Sequence, residues 1–198
     1  MSPEGRPEGE LHRSAQREGT RLSAVIDVDA RPGVARRAAT GGWRPDLAAA
    51  TRTLRVVRSL AAAPATVFAA WLDPAMARRW LFATATEPLI DADIDPRVHG
   101  AFRFVFRRAG RLREQRGVYV EIAPPWRLAF TLQADAAQPS PTRVVIDIAP
   151  RRRGSTLTVT HEGIASAAFR ALRERWIGML YGLDATLADG NSPPRSER

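Results

Sequence analysis

Between residues 165 and 189 the chain places Phe169, Leu172, Trp176, Met179, Leu180, Leu183 and Leu187 at helical spacing, with Arg170, Arg173, Glu174 and Asp184 off that stripe. The period predicts one amphipathic helix, about 37 Å long if continuous, whose apolar face has to be covered by something. The preceding sequence supplies the cover. Six short runs, at 89–96, 100–107, 117–122, 127–134, 142–149 and 155–162, are separated by Asp-Pro, Arg-Ala-Gly, Ala-Pro-Pro, Gln-Pro-Ser-Pro and Arg-Arg-Arg-Gly. That is the punctuation of an antiparallel meander. Phe102, Phe104 and Phe106 share one face, Val144, Ile146 and Ile148 another, and Leu157 and Val159 a third, each opposite polar or mixed neighbours. Burying these faces together with the helical stripe gives an α+β architecture, a curved antiparallel sheet around one long C-terminal helix. Gly178 and Gly182 interrupt the stripe. Each costs up to about 1 kcal/mol against alanine in a helix interior, so a close approach of the sheet or a bend is expected there.

Upstream, "TLRVVRSL" at 53–60 alternates as a first strand, with Leu54 and Val56 facing away from Arg55. Ala63-Pro64 then opens a short helix with Val67, Phe68, Trp71 and Leu72 at helical spacing. Asp73-Pro74 is a second start, a capping aspartate before an N1 proline, carrying Met76, Ala77, Trp80 and Leu81. The expected domain therefore runs from 51 to 190, with about seven strands and two short helices after the first. Residues 1–50 mix Gly, Pro, Ser, Arg and Glu without a sustained period and are expected to be a mostly disordered extension. Within them "LSAVIDV" at 22–28 is a short apolar patch able to form a transient strand or dock on the domain, and Trp43 a candidate anchor. Residues 191–198 are expected to be a disordered tail.

No apolar run approaches the roughly 20 residues that span a bilayer, so no membrane insertion is expected. The N-terminus lacks the order of a secretory signal and the chain has no cysteine, which points to the cytoplasm and excludes disulfide and thiolate chemistry. The formal net charge is +9, and all the basic residues are arginine. The most basic spots, "RRAGRLREQRG" and Arg151–Arg153, fall at turns without aromatics to stack bases, so no specific nucleic-acid partner is expected.

Five segments carry a family likeness: "RSLAAAPATVFAAWLDPAMARRW" (58–80), "DPRVHGAFRF" (95–104), "GVYVEIAPPWRLAFT" (117–131), "STLTVTHEG" (155–163) and "ERWIGMLYGLDATL" (174–187). In this order and spacing the chain from 52 to 189 resembles the START/polyketide-cyclase-like (SRPBCC) superfamily. Within it, the chain is similar to bacterial proteins related to the C-terminal domain of the activator of heat-shock-protein ATPase. The resemblance implies a helix-grip fold, a seven-stranded sheet closed over the long helix around a hydrophobic cavity. Two positions depart from the family pattern. His99-Gly100 stands where Gly-Gly is usual, and Arg175-Trp176 where Gly-Trp is usual. The co-chaperone activity of eukaryotic relatives depends on an N-terminal domain that residues 1–50 do not resemble.

The chemistry-bearing groups are few. No phosphate-binding glycine loop, zinc spacing or nucleophile elbow occurs, so no cofactor and no metal site is expected. His161 has the parity of Leu157 and Val159 and should point at the helix, where it is either a satisfied structural histidine or a ligand-binding or acid/base group. Asp91, Asp93 and Asp95 alternate opposite Ile90, Ala92 and Ile94, which favours solvated carboxylates over a cation site. The candidate ligand-cavity residues are Trp80, Phe104, Tyr119, His161, Trp176 and Met179, with Tyr119 and His161 as polar handles and Tyr119 opposed in parity by Val118, Val120 and Ile122. Trp71 reads as a packing anchor and Trp80 as the tryptophan nearer a cavity mouth. Three functions follow from this set. The first is a protein that binds an apolar small molecule without covalent chemistry. The second is a cyclase- or aromatase-like enzyme using His161 and Tyr119, and the third an interaction module acting on a protein partner such as a chaperone.

Overall fold

Alternating apolar residues resolve into eight antiparallel strands in the computed structural model, which describes residues 22–31, 51–82, 89–134 and 141–190. The strands are β1 (Leu22–Arg31), β2 (Thr51–Leu60), β3 (Leu89–Ile94), β4 (Ala101–Arg108), β5 (Arg111–Ala123), β6 (Arg127–Ala134), β7 (Thr142–Pro150) and β8 (Ser155–Ala165). Helices α1 (Pro64–Leu72) and α2 (Pro74–Trp80) follow β2, and a single 3-10 turn, Ser166–Ala168, leads into α3 (Phe169–Gly190). The strand order β1-β2-β8-β7-β6-β5-β4-β3 is a meander from β3 to β8 with β2 returning beside β8. The seven strands β2–β8 and the long helix are the expected helix-grip arrangement. The patch at 22–28 lies in an eighth strand, β1, paired antiparallel with β2. Trp43 and the C-terminal segment from residue 191 lie outside the described residues.

Phe102, Phe104 and Phe106 on β4, Val144, Ile146 and Ile148 on β7, and Leu157 and Val159 on β8 are all buried on the helix side. Above them sits the α3 stripe, with Trp176, Met179, Leu180 and Leu183 almost fully buried. Both short helices begin at prolines, and Asp73 caps α2 by accepting from the backbone amides of Ala75 at 2.7 Å and Met76 at 3.3 Å. The two α3 glycines have different surroundings. At Gly182 the close neighbour is α2, not the sheet, since an added Cβ would sit 3.4 Å from Cβ of Trp80. Gly178 has nothing near it.

Three local readings change. Ile90 points outward, 45% exposed, while Leu89 and Ala92 face inward. Leu89 pairs with Phe106 and Asp91 with Val105, so Ile90 is the extra residue of a β-bulge that resets the face. On β5, Tyr119 is the buried residue and Val118 and Val120 are exposed. Finally, only Ala109 and Gly110 form the turn after β4. Arg111–Arg116 continue as strand, held by cross-strand pairs such as Arg103 with Glu114 at 3.3 Å.

Candidate functional site

The helix closes over the sheet unevenly, leaving two spaces. Toward α1 and α2, aromatics from five elements meet. Phe102 packs against Phe104, Tyr119 and Phe130 with centroids 5.2–5.4 Å apart, and Trp71 reaches Phe130 and Trp176 at 6.3 Å. The gap between them is about 10 Å³, no more than one water occupies. This end of the domain is filled core. Phe104 and Tyr119 line it, and burial raises the Tyr119 phenol above its ordinary pKa.

The second space is a cavity of about 280 Å³ between the first half of α3 and the inner faces of β5 to β8. Its apolar wall comes from Phe82, Leu132, Ile164, Leu172, Trp176 and Met179, with three alanines at 165, 168 and 171. Its polar wall is Gln115, Thr142, His161 and Arg175. Of the residues expected at a cavity, His161, Trp176 and Met179 are brought together here, while Phe104 and Tyr119 line the filled gap. Trp80 lines neither space. Its indole crosses Trp71 edge-on at 4.6 Å and its Nε1–H donates to the Ala70 carbonyl at 3.2 Å, so it braces α1 against α2 beneath α3.

His161 sits in a closed relay. The Trp176 Nε1–H donates to its Nδ1 at 3.0 Å, and because indole nitrogen is only a donor, Nδ1 must carry the lone pair. The proton is then on Nε2, which donates to Thr142 Oγ1 at 2.7 Å, and the Thr142 hydroxyl passes its own hydrogen to the Leu132 carbonyl at 3.1 Å. Burial and the nearby Arg175 charge push the imidazole pKa down to about 4. A neutral histidine with both nitrogens engaged has no free lone pair to offer a substrate, so acid/base work would first require breaking the bond from Trp176.

The polar lining residues that sequence reasoning missed are Gln115, Thr142 and Arg175. Gln115 is 2% exposed and its amide nitrogen has no hydrogen-bond partner. Arg175 is half-buried, and its Nε is likewise unpartnered. Burial first, and then the charge of Arg108, lower its pKa. Phe82 adopts φ 56°, a left-handed conformation that costs a bulky residue roughly 1–2 kcal/mol. Its amide donates to the Met179 sulfur at 3.4 Å, which ties the chain after α2 to the helix. The signal for Gln115 was its parity with Tyr119. For Arg175 it was the spacing of three from Leu172 and four to Met179. Among the described residues no cluster of acidic, histidine or cysteine side chains could hold a metal ion, and no helix is long and apolar enough to cross a membrane.

The family model described as activator of Hsp90 ATPase homolog 1-like protein matches residues 61–188. Among solved structures, a protein from Chromobacterium violaceum is similar at 30% identity, over 68% of this chain and 96% of its own, with a TM-score of 0.63. One from Rhodobacter sphaeroides is similar at 26% identity, over 70% and 93%, with a TM-score of 0.62. An AHSA1-like protein from Aeromonas hydrophila shares the fold at 18% identity, over 74% and 99%, with a TM-score of 0.62. No curated protein matches the chain.

Proposed function

The chain belongs to the family of proteins like the activator of Hsp90 ATPase homolog 1, within the START-like superfamily, and from that premise we propose that it binds a small, largely apolar molecule in the cavity beneath α3 and performs no covalent chemistry on it. The observation that carries this reading is the cavity itself. About 280 Å³ stays open here as a partly enclosed pocket, beside a core end that is fully filled. The volume lies near the lower end for small-molecule sites, and an apolar wall with a few fixed polar groups is their usual composition. Occupancy by a compact molecule fits these dimensions.

The alternative enzyme reading needs His161 and Tyr119 to act on one substrate. His161 is committed to Trp176 and Thr142, and Tyr119 lines the other space. The binding reading needs neither to react.

The test is a thermal-shift screen of compact apolar compounds, run on the wild type and on Ile164→Trp, which puts an indole into the cavity from β8. Binding in the cavity predicts raised Tm values for a subset of compounds in the wild type and for none of them in the variant. If no compound shifts the wild type, and the protein purified from its own host retains no small molecule in native mass spectrometry, the cavity is not a ligand site and a surface-mediated role takes its place.

A further inference from the structure

We propose that the molecule held in this cavity carries a carboxylate or similar anionic group, received by Arg175 and Gln115 while its apolar body lies against Ile164, Leu132 and Met179. This rests on the cavity being a ligand site. Four observations select an anion over a neutral polar end.

First, the two side chains that line the cavity with an unpartnered buried nitrogen, Arg175 and Gln115, both present donors. A carboxylate is acceptor-only and uses the guanidinium fork in two parallel bonds. Second, the polar groups beside them are already spent. The Nε2–H of His161 goes to Thr142 and the Thr142 hydroxyl hydrogen to Leu132, so neither has a donor left for the ligand, and Arg175 and Gln115 are the donors that remain. Third, no acidic side chain among the described residues pairs with Arg175, although ten arginine–carboxylate contacts tie up the surface, such as Arg127 with Asp147 and Arg143 with Glu162, and the buried Arg58 has Asp184. Fourth, the neighbouring charge is of the same sign. Arg108 is close enough to disfavour the Arg175 cation, and the charge of Arg175 in turn disfavours protonation of His161. A half-buried guanidinium near a second arginine, with no counter-ion among the described residues, is costly to keep unless an anion joins it.

The probes are octanoate and octanamide, which share a chain and differ in the charge of the head. Titration calorimetry on the wild type should show octanoate binding about tenfold or more tightly than octanamide, the value of one charge-assisted hydrogen bond. In Arg175→Met the two should bind alike, and in Ile164→Trp neither should bind. Equal affinities in the wild type overturn the anionic head and leave the apolar cavity standing. Binding of neither probe overturns the anionic head, and the compound screen then decides the cavity separately. A preference for octanoate that survives in Ile164→Trp places the anion on surface arginines and also overturns the proposal. Because the wild-type comparison is decisive alone, a variant that fails to fold does not protect the idea.

Discussion

Trp176 fixes the protonation state of His161: its Nε1–H meets Nδ1 at 3.0 Å and leaves the imidazole neutral, with its proton on Nε2 toward Thr142. The helix and the last strand are thus joined by a bond that exists only while His161 is uncharged. In the unfolded chain the imidazole takes a proton near its ordinary value of 6.5, whereas in the folded protein it does so only near 4. The folded-state value is the depressed one. The protein should therefore hold its full stability above about pH 6.5 and lose up to about 3 kcal/mol as the pH falls from there to about 4. Denaturant melts across this range should show the slope in the wild type and a much flatter one in His161→Gln. A pKa above 6 for His161 by NMR would contradict the relay.

Replacing the donor tests the same bond from the other side. Trp176→Phe keeps most of the apolar volume but strands the Nδ1 lone pair in the core, at a cost of about 1–3 kcal/mol. The His161 pKa should also rise, because the bond that favoured the neutral ring is gone. A lower stability with an unmoved pKa would mean the loss was packing alone.

Arg58 carries a second buried charge into the fold. It is 1% exposed on β2, its Nη2 lies 2.9 Å from Asp184 on α3, and its guanidinium covers the Tyr181 ring at 4.0 Å. Two of its nitrogens have no hydrogen-bond partner. Asp184→Leu should cost about 2–3 kcal/mol, since it leaves a buried cation unpaired, whereas Arg58→Met with Asp184→Leu should recover most of that loss. The urea midpoints of the two single variants and the double variant close the cycle. A double variant no more stable than Asp184→Leu would show that the pair contributes more than its desolvation costs.

Arg58 and Arg175 also mark where the sequence stops being readable. The strand faces of β4 and of β8 as far as His161 follow strict alternation, β7 alternates save that Val145 is buried too, and Asp73-Pro74 starts α2 as its capping chemistry requires, so the sheet, the helix pair and the α3 stripe were legible. Arg58 shares parity with Leu54, Val56 and Leu60, and Arg175 sits at helical spacing from Leu172 and Met179, yet in a chain whose basic residues are all arginine a guanidinium reads as a solvated charge. Ile90 turned outward because a bulge adds a residue that no composition announces. Which aromatics fill and which line a void depends on how far α3 stands from each strand. Trp80 and Tyr119 went into filled core for that tertiary reason.

The turn before β4 places the unusual His99 at φ 67°, exposed, beside a glycine that tolerates no side chain. A Cβ on Gly100 would lie 2.3 Å from the Asp95 carbonyl oxygen. His99→Gly should therefore stabilise the protein by about 0.5–1 kcal/mol, the relief of left-handed backbone less the added freedom of the unfolded chain. Gly100→Ala should destabilise it by about 2 kcal/mol or more. Thermal melts of both variants check the pair, and a neutral Gly100→Ala would mean the turn can open.

The strongest separation of function from stability lies at Arg175. Its side chain makes no hydrogen bond or ion pair with the described residues, its Nε is buried without a partner, and Arg108 adds repulsion. Nothing among the described residues repays that desolvation, so Arg175→Met should leave the ligand-free protein as stable as the wild type or more stable, by about 1 kcal/mol. The same substitution should abolish any stabilisation by octanoate. Opposite signs for the two effects would identify a residue kept for binding at a cost in stability. A ligand-free Arg175→Met that melts well below the wild type would instead make the guanidinium part of the scaffold.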